Sequence, residues 1–281
     1  MYYRLTKPGI IYGNAIAAIA GFFLASRTHI NILLLIETII GMSLVIGSAC
    51  VFNNYIDRGI DQKMKRTMKR ATVTKDVSGI AALTYATILG IIGFSALAFY
   101  TNWLTVGLGI VAYVTYIVFY GISKRESVHG TLVGSIAGAL PPAAGYTAVT
   151  GRFDLGALLL FLILVCWQMP HFYAIAMYRY KDYSAASLPV LPVKKSMHVT
   201  KVQMLWYIAA FTLMAALLTV YGYTGYLYLA IVVVMGVAWF VRGVWGFKAD
   251  DTTRWARNMF FFSLIVLLVL CIMLVVDGWL F

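Results

Sequence analysis

Residues 33–61 read LLLIETIIGMSLVIGSACVFNNYIDRGID, an apolar run that ends in a polar segment. The run over 33–54 has about the 20 residues that a helix needs to cross a bilayer, so we predict a membrane helix whose end enters an aqueous loop. Asn53, Asp57 and Asp61 follow at intervals of four residues, which places them along one face of a helix, about 6 Å apart along its axis.

The two aspartates repel each other at this spacing, and a membrane boundary adds a cost of desolvation. Replacing one of them by a neutral residue should therefore leave stability unchanged or raise it by a few tenths of a kcal/mol. A divalent cation reverses the repulsion, and hard oxygen ligands suit Mg²⁺, which binds one or two carboxylates together with substrate phosphates. We therefore predict a Mg²⁺ site formed by Asn53, Asp57 and Asp61. The alternative is a solvated helix end with ordinary loop charges.

Basic residues crowd the sequence directly behind this acidic face: Lys63, Lys65, Arg66, Lys69 and Arg70. Such groups bind phosphates through charge-assisted hydrogen bonds. Acidic and basic groups thus stand side by side in a chain that has few charges elsewhere, which favours phosphate chemistry over a solvated helix end.

The composition is that of a polytopic membrane protein. The 281 residues are 62% hydrophobic and 11% charged, whereas soluble domains have about a quarter charged residues. A net charge of +12 would indicate a nucleic-acid partner only if the basic residues lay on a soluble surface. Here they lie between apolar runs, so we predict that the protein lies in a lipid bilayer and has no nucleic-acid partner. Three cysteines, Cys50, Cys166 and Cys271, lie far apart in apolar runs and predict neither disulfides nor a metal site.

Hydropathy predicts an all-α protein in which residues 1–281 form a single domain with nine transmembrane helices. Of the 22 lysines and arginines, 20 lie on the side of the N-terminus and two, Arg27 and Arg152, lie on the other. Basic loops are cytoplasmic, so we predict a cytoplasmic N-terminus and a periplasmic C-terminus at Phe281. No Ser-rich transit segment precedes the first span, which favours the bacterial inner membrane. The predicted spans are 10–26, 33–54, 79–99, 103–120, 131–150, 155–178, 201–221, 226–246 and 257–277.

A second polar stretch follows the sixth predicted span. Residues 178–183 read YRYKDY and combine an aspartate, basic residues and tyrosines at the cytoplasmic end of a helix, as the first stretch does. The two stretches are four spans apart, which suggests two four-helix halves that share one site, with a ninth helix added. Lys124 and Arg125, after the fourth span, would supply further cations. Pro141-Pro142 in the fifth span predicts a kink or an interruption.

The segment from Asn53 to Asp61 resembles the N-x-x-x-D-x-x-x-D motif of the intramembrane aromatic prenyltransferases. The resemblance covers nearly the whole chain. Each motif alone is a weak signal of the family, but the combination of motifs is a specific one. In that superfamily the second motif usually has several aspartates, whereas only Asp182 is present here, so a second Mg²⁺ bound fully by carboxylates is not expected. Further stretches resemble the protohaem IX farnesyltransferases, or haem O synthases: Thr6-Lys7-Pro8-Gly9-Ile10, Pro141-Pro142, Met169-Pro170-His171-Phe172, Tyr178-Arg179-x-Lys181-Asp182-Tyr183 and Leu188-Pro189-Val190-Leu191-Pro192.

The resemblance implies nine helices around a central cavity that opens towards the bilayer and is capped by cytoplasmic loops. It implies transfer of a farnesyl group from farnesyl diphosphate to a vinyl group of haem B, giving haem O and diphosphate, with Mg²⁺ as cofactor. Farnesyl diphosphate and haem B are therefore the expected ligands. Association with haem–copper oxidase assembly or with haem A synthase is a further expectation.

The same resemblance implies roles for individual residues. The metal is assigned to Asn53, Asp57, Asp61 and Asp182. Catalysis is assigned to Asn53, Asp57, Asp61, Lys181 and Asp182. Diphosphate binding is assigned to Lys7, Arg66, Arg70, Lys124, Arg125 and Arg179. Haem binding is assigned to His171 and Tyr178. Among the histidines, His171 alone is expected within the helical bundle, where a neutral imidazole can reach iron; a buried histidine held by a hydrogen bond to a neighbouring helix is the equal alternative.

Two rival functions remain open at this point. A secondary transporter also has repeats and broken helices, but its ionisable residues cluster near the bilayer midplane, whereas here they lie at helix ends on one side. A prenyltransferase for a small aromatic acid or a quinone precursor would carry the same charges at the same spacing. The preference for haem depends on the resemblance around His171.

Overall fold

The computed structural model describes the backbone of residues 1–280 and the side chains of residues 1–277. Within this part of the chain there are nine helices long and apolar enough to cross a membrane, which confirms the predicted count and fold class. Their bounds lie within six residues of the predicted spans. They are α1 (Pro8–Ser26), α2 (Ile32–Ile56), α3 (Gly79–Tyr100), α4 (Trp103–Glu126), α5 (Gly130–Thr150), α6 (Leu155–Tyr178), α7 (Met197–Val220), α8 (Tyr226–Trp245) and α9 (Thr252–Leu280).

Short helices lie in the loops at one end of the bundle: Tyr2–Leu5, Arg58–Asp61, Tyr180–Ala185 and Leu191–Lys194. Several long helices begin with a polar side chain that accepts a hydrogen bond from the first turn, which satisfies backbone N–H groups that the helix itself leaves without a partner. These capping residues are Asn31, Ser78, Asn102, Asp154 and Ser196.

The helices α5 and α6 form the centre of the bundle. Each has 67% of its span buried inside the protein, whereas the corresponding share for α4 is 22%. The helix α1 packs along α5, α2 packs along α3, and α6 contacts α5, α7 and α9. Pro141 and Pro142 lie inside α5, which continues through both of them, so the interruption considered from the sequence does not occur.

The contact between α1 and α5 is backbone to backbone. A side chain added at Gly21 would run into the carbonyl of Pro142, and one added at Gly145 would run into the carbonyl of Ala18. Glycine is therefore required at both positions, because it alone lets the two helices approach this closely.

The helix α4 contains a π-helical turn over Thr115–Phe119, in which the N–H of Tyr120 donates to the carbonyl of Thr115. Such a turn inserts one extra residue and rotates the following part of the helix. Nothing in the local sequence predicts it.

The loops fall into two groups at opposite ends of the bundle. Lys7 Nζ donates to Asn53 Oδ1, and Arg125 donates to the carbonyl of Ile56, so the loops predicted to be cytoplasmic meet at one end. At the other end Arg27 donates to the carbonyl of Gly222. Phe281, the predicted periplasmic terminus, lies outside the described residues.

Candidate active site

A cavity of about 570 Å³ runs into the bundle from the end where the polar loops meet. Its walls come from α1, α2, α3, α4, α5, α6 and α9, from Lys7 just before α1, and from the loops that follow α2, α4 and α6. Along α2 the lining extends from Asp57 to Met42. At about 1.5 Å per residue this is a depth of roughly 22 Å, most of the thickness of a bilayer core.

Asn53, Asp57 and Asp61 all line the polar end of this cavity. The helix α2 ends before Asp57, but the N–H of Asp57 still donates to the carbonyl of Asn53, and the N–H of Asp61 donates to the carbonyl of Asp57, both at 2.9 Å. The helical register therefore continues across the break, and the predicted face is present. The two carboxylates are buried, with Asp57 7% and Asp61 4% exposed.

Each carboxylate is held by cations. Asp57 contacts Lys124 and, at 3.1 Å, Arg125, while Asp61 accepts from Arg70 at 2.6 Å. The repulsion expected from the sequence is therefore compensated, because opposite charges lie on both groups. Neutralising one acid would leave its cations with a weaker partner, so in this setting we expect a loss of stability instead of the unchanged or slightly raised stability expected from the sequence.

The lining of the polar end carries excess positive charge. Among the described residues, four cations line the cavity against the two carboxylates: Lys7, Arg66, Arg70 and Lys124. A cluster with more positive than negative charges attracts a polyanion, and its lysine and arginine donors are groups that bind phosphate oxygens.

Lys7 enters the cavity from an unusual backbone conformation. Its φ of 53° lies in the left-handed region, which costs a residue with a side chain about 1–2 kcal/mol, and Pro8 then begins α1. The ammonium group donates to Asn53 Oδ1 at 2.9 Å. Loss of water lowers the pKa of this group to about 8, and the positive charges of Arg70 and Lys124 also contribute to lowering it. Such strain is typical of a residue held in place for a function.

The second polar stretch contributes other residues than those predicted. Tyr183 of this stretch lines the cavity, as do Leu188 and Val190 in the segment that follows it. Burial raises the pKa of the Tyr183 phenol, which keeps it protonated. Arg179 and Asp182 face each other at 3.8 Å. Five residues predicted for the site are not part of the lining found for the described chain: Arg125, Tyr178, Arg179, Lys181 and Asp182. Their assigned roles stay predictions.

The metal ligands predicted from the sequence are only partly brought together. Asp57 and Asp61 share the cavity with Asn53, whereas Asp182 lies outside its lining. No group of three or more His, Cys, Asp or Glu side chains that could hold a metal ion occurs among residues 1–277. A cation here would therefore have two carboxylates and an amide from the protein, and would take its remaining ligands from a substrate or water.

Three tyrosines on α4 form one wall of the cavity: Tyr113, Tyr116 and Tyr120. None of the three is among the site residues predicted from the sequence, although their spacing of three and four residues is that of one helix face. The π-helical turn lies between the first and the last of them. The rings of Tyr116 and Tyr120 stack with centroids 5.6 Å apart, and Lys124 Nζ lies 4.9 Å from the Tyr120 ring centroid. Aromatic faces therefore adjoin the charged cluster.

Another wall carries His171 on α6, about seven residues or roughly 10 Å before the C-terminal end of that helix at Tyr178. Its ring stacks on Trp167 at 4.7 Å, and its Nδ1 lies 2.7 Å from the hydroxyl of Ser263 on α9. Trp167 Nε1 in turn donates to the carbonyl of Ser263 at 2.8 Å. The predicted placement of His171 within the bundle is confirmed, and its hydrogen bond to a neighbouring helix is present.

Residues 14–265 match the UbiA prenyltransferase family. The chain belongs to this family. A relative from Citrobacter koseri named protoheme IX farnesyltransferase is 50% identical over 277 residues, which cover 98% of this chain and 94% of the relative.

The fold of this UbiA prenyltransferase is also found in solved structures. A structure described as that of digeranylgeranylglyceryl phosphate synthase covers 100% of this chain and 98% of its own, with a TM-score of 0.81 at 15% identity. A UbiA homologue from Archaeoglobus fulgidus, bound to GPP and Mg²⁺, has a TM-score of 0.73 at 12% identity and covers 98% of this chain and 99% of its own. The family match and the curated relative show that this chain is a prenyltransferase, and the solved structures share its fold of membrane helices.

Proposed function

We propose that this UbiA prenyltransferase transfers the farnesyl group of farnesyl diphosphate to a vinyl group of haem B, giving haem O and diphosphate. The observation that carries the proposal is the 50% identity, over 98% of the chain, to a protein named protoheme IX farnesyltransferase. The cavity supports it, because a cation-rich polar end suits a diphosphate and long aromatic and apolar walls suit two hydrophobic substrates.

The residues at the polar end fit Mg²⁺. Asn53, Asp57 and Asp61 offer the hard oxygen atoms that this ion prefers, and the related Archaeoglobus fulgidus protein is described as bound to GPP and Mg²⁺. When bound, the ion neutralises charge on the diphosphate leaving group. Asn53 also has a buried side-chain nitrogen without a hydrogen-bond partner among the described residues, so its amide has a donor to spare for a phosphate oxygen.

The cations act on the same leaving group. Arg70 and Lys124 now hold the two aspartates, and both also line the cavity together with Lys7 and Arg66. A diphosphate placed among them accepts charge-assisted hydrogen bonds while the bond between its oxygen and the farnesyl C1 breaks. The negative charge that builds up on that oxygen is thereby stabilised before any carbon–carbon bond forms.

The farnesyl cation needs a dry cavity until the haem vinyl group attacks C1. Tyr116 and Tyr120 present aromatic rings beside the charged cluster, and their negative faces favour a cation. Attack leaves a positive charge on the carbon next to the porphyrin ring, and a water molecule then adds there and releases a proton. Low polarity along the remaining wall, from Met42, Val45 and Leu97, keeps other water away.

The test is product analysis with the purified full-length protein. Farnesyl diphosphate, haem B and Mg²⁺ should yield haem O and diphosphate, identified by mass spectrometry. Parallel reactions replace haem B by 4-hydroxybenzoate or by a quinone precursor. Prenylation of one of these with no haem O formed would contradict the proposal and support a prenyltransferase for another aromatic acceptor.

Lys7 makes the binding of farnesyl diphosphate depend on pH. Its pKa of about 8 means that the ammonium group loses its charge as the pH rises above this value. If only the charged form binds the diphosphate, the apparent KM should increase about fivefold between pH 8 and pH 9. The Lys7→Arg variant keeps its charge throughout, so its KM should stay nearly constant.

A matched control for this measurement is Lys69→Arg, which changes an exposed lysine in the loop after α2 and should follow the wild-type profile. Superimposable pH profiles of KM for the wild type and Lys7→Arg would mean that the charge of Lys7 does not contribute to binding of the diphosphate.

We further propose that the enzyme lies in a bacterial inner membrane with the active-site loops in the cytoplasm, as the distribution of 20 against two basic residues indicates. A single cysteine introduced at Arg152 should react with a membrane-impermeant maleimide on intact cells, whereas one introduced at Lys63 should react only after permeabilisation. The reverse labelling pattern would mean that the protein has the opposite orientation in the membrane. Association with haem–copper oxidase assembly or haem A synthase stays a prediction, and crosslinking in native membranes tests it.

A further inference from the structure

Ser263 occupies a position in α9 from which its hydroxyl group reaches another helix. It is fully buried, and its Oγ makes two contacts: 2.6 Å to the carbonyl oxygen of Phe260, one turn earlier on α9, and 2.7 Å to Nδ1 of His171 on α6. Neither the family match nor the motifs in the sequence single out this serine.

The two contacts together determine which nitrogen of His171 carries the proton. A carbonyl oxygen can only accept, so the single proton of the Ser263 hydroxyl is donated to Phe260. The hydroxyl oxygen is then an acceptor, and His171 must donate to it through Nδ1–H. In a neutral imidazole this leaves the lone pair on Nε2. No hydrogen-bond partner for Nε2 occurs among residues 1–277, and His171 lines the cavity.

The ring is also held in its orientation. Trp167 stacks on one side at 4.7 Å, and Phe260 lies at 4.9 Å between ring centroids. The indole N–H of Trp167 donates to the carbonyl of Ser263 at 2.8 Å, which ties the same two helices together a second time. Leu264 and Leu267, on the next turn of α9, continue the cavity wall. The imidazole therefore has little freedom to rotate.

We propose that Ser263 is a positioning residue, which holds His171 with Nε2 towards the cavity as the axial ligand of the haem B iron. The inference rests on the proposed function, because haem B is the acceptor that brings an iron atom to this wall. A histidine ligand that donates its second N–H to a fixed acceptor is oriented for the metal and made more basic. Iron held from α6 keeps the porphyrin at one distance from the diphosphate end, so its vinyl group is presented to the farnesyl C1.

The test uses the purified full-length protein titrated with haem B, without farnesyl diphosphate. The absorption spectrum is recorded with ferric haem B, and the resonance Raman spectrum is recorded after reduction of the iron to the ferrous state. His171→Ala should shift the Soret band and abolish the iron–histidine signature. Ser263→Thr and Ser263→Val form a matched pair, because threonine and valine have the same branched shape and only threonine keeps the hydroxyl. We expect Ser263→Val to raise the Kd for haem B about 10–100-fold with an altered spectrum, and Ser263→Thr to stay close to the wild type.

A double-mutant cycle separates positioning from a general structural role. In the His171→Ala background, Ser263→Ala should cause no further rise in Kd, because its effect passes through the imidazole. If Ser263→Ala raised the Kd for haem B equally in the wild type and in the His171→Ala variant, the proposal would be overturned. This comparison does not depend on whether the Ser263→Thr variant folds. Ser26→Ala is the control: Ser26 is buried at the far end of α1, its hydroxyl has no partner among the described residues, and haem binding should not change.

These experiments distinguish failure of the positioning role of Ser263 from failure of the proposed reaction. An unchanged Soret band in His171→Ala eliminates the ligand role and with it the proposal, whether or not haem O is formed. If the wild type binds haem B through His171 but makes no haem O, the positioning role of Ser263 stands and the proposed reaction is wrong.

Discussion

Replacing Asp57 or Asp61 by asparagine is expected to lower kcat/KM for farnesyl transfer by at least about 100-fold, the scale seen when one charge-stabilising group is lost from an active site. Both carboxylates line the polar end of the cavity and are the acidic groups in its described lining. An amide of the same shape keeps the packing but cannot compensate a divalent cation. The measurement is the rate of haem O formation over a range of Mg²⁺ concentrations.

The matched control is Asp76→Asn, the same chemical change at an exposed position in the same loop, with no expected effect on turnover. Folding has to be followed in parallel, because Asp57 contacts Lys124 and Arg125 and its loss weakens that cluster. We expect a decrease in stability of about 1–3 kcal/mol for Asp57→Asn, measured by thermal unfolding in detergent. Near-normal turnover by both active-site variants would refute the metal site.

The largest effect on stability is expected at the contact between α1 and α5. In Gly21→Ala and Gly145→Ala the new methyl group meets a backbone carbonyl of the other helix, Pro142 and Ala18 respectively. A side chain could rotate away, but a helix backbone cannot, so α1 and α5 must separate. We expect each variant to lose about 3 kcal/mol or more, and most of the protein to be lost on detergent extraction.

Gly107→Ala on α4 is the control, because a methyl group at that position has no heavy atom within 4 Å. There the change should be neutral or raise stability by about 0.5–1 kcal/mol, since alanine favours a helix over glycine. If Gly21→Ala proved as stable as Gly107→Ala, the backbone contact between α1 and α5 would be absent. The result matters for function as well, because both helices line the cavity.

The sequence alone determined the number of helices, their approximate ends and the acidic face. Each of these depends on local properties: the length of an apolar run, and the four-residue register that carries Asn53, Asp57 and Asp61 along one side. The helical register continues past the end of α2 because the segments on both sides of Asp57 are helical. Local rules therefore sufficed for these features.

The tertiary structure decided which residues share the cavity, because that depends on how each helix is rotated about its axis and how closely it packs. Tyr183 lines the cavity whereas Lys181 and Asp182, its neighbours in the sequence, do not. The π-helical turn rotates the end of α4, and Tyr120 and Lys124 lie beyond it. Ser263 meets His171 across 92 residues of chain. Such pairings are set by packing between helices, which no segment encodes by itself.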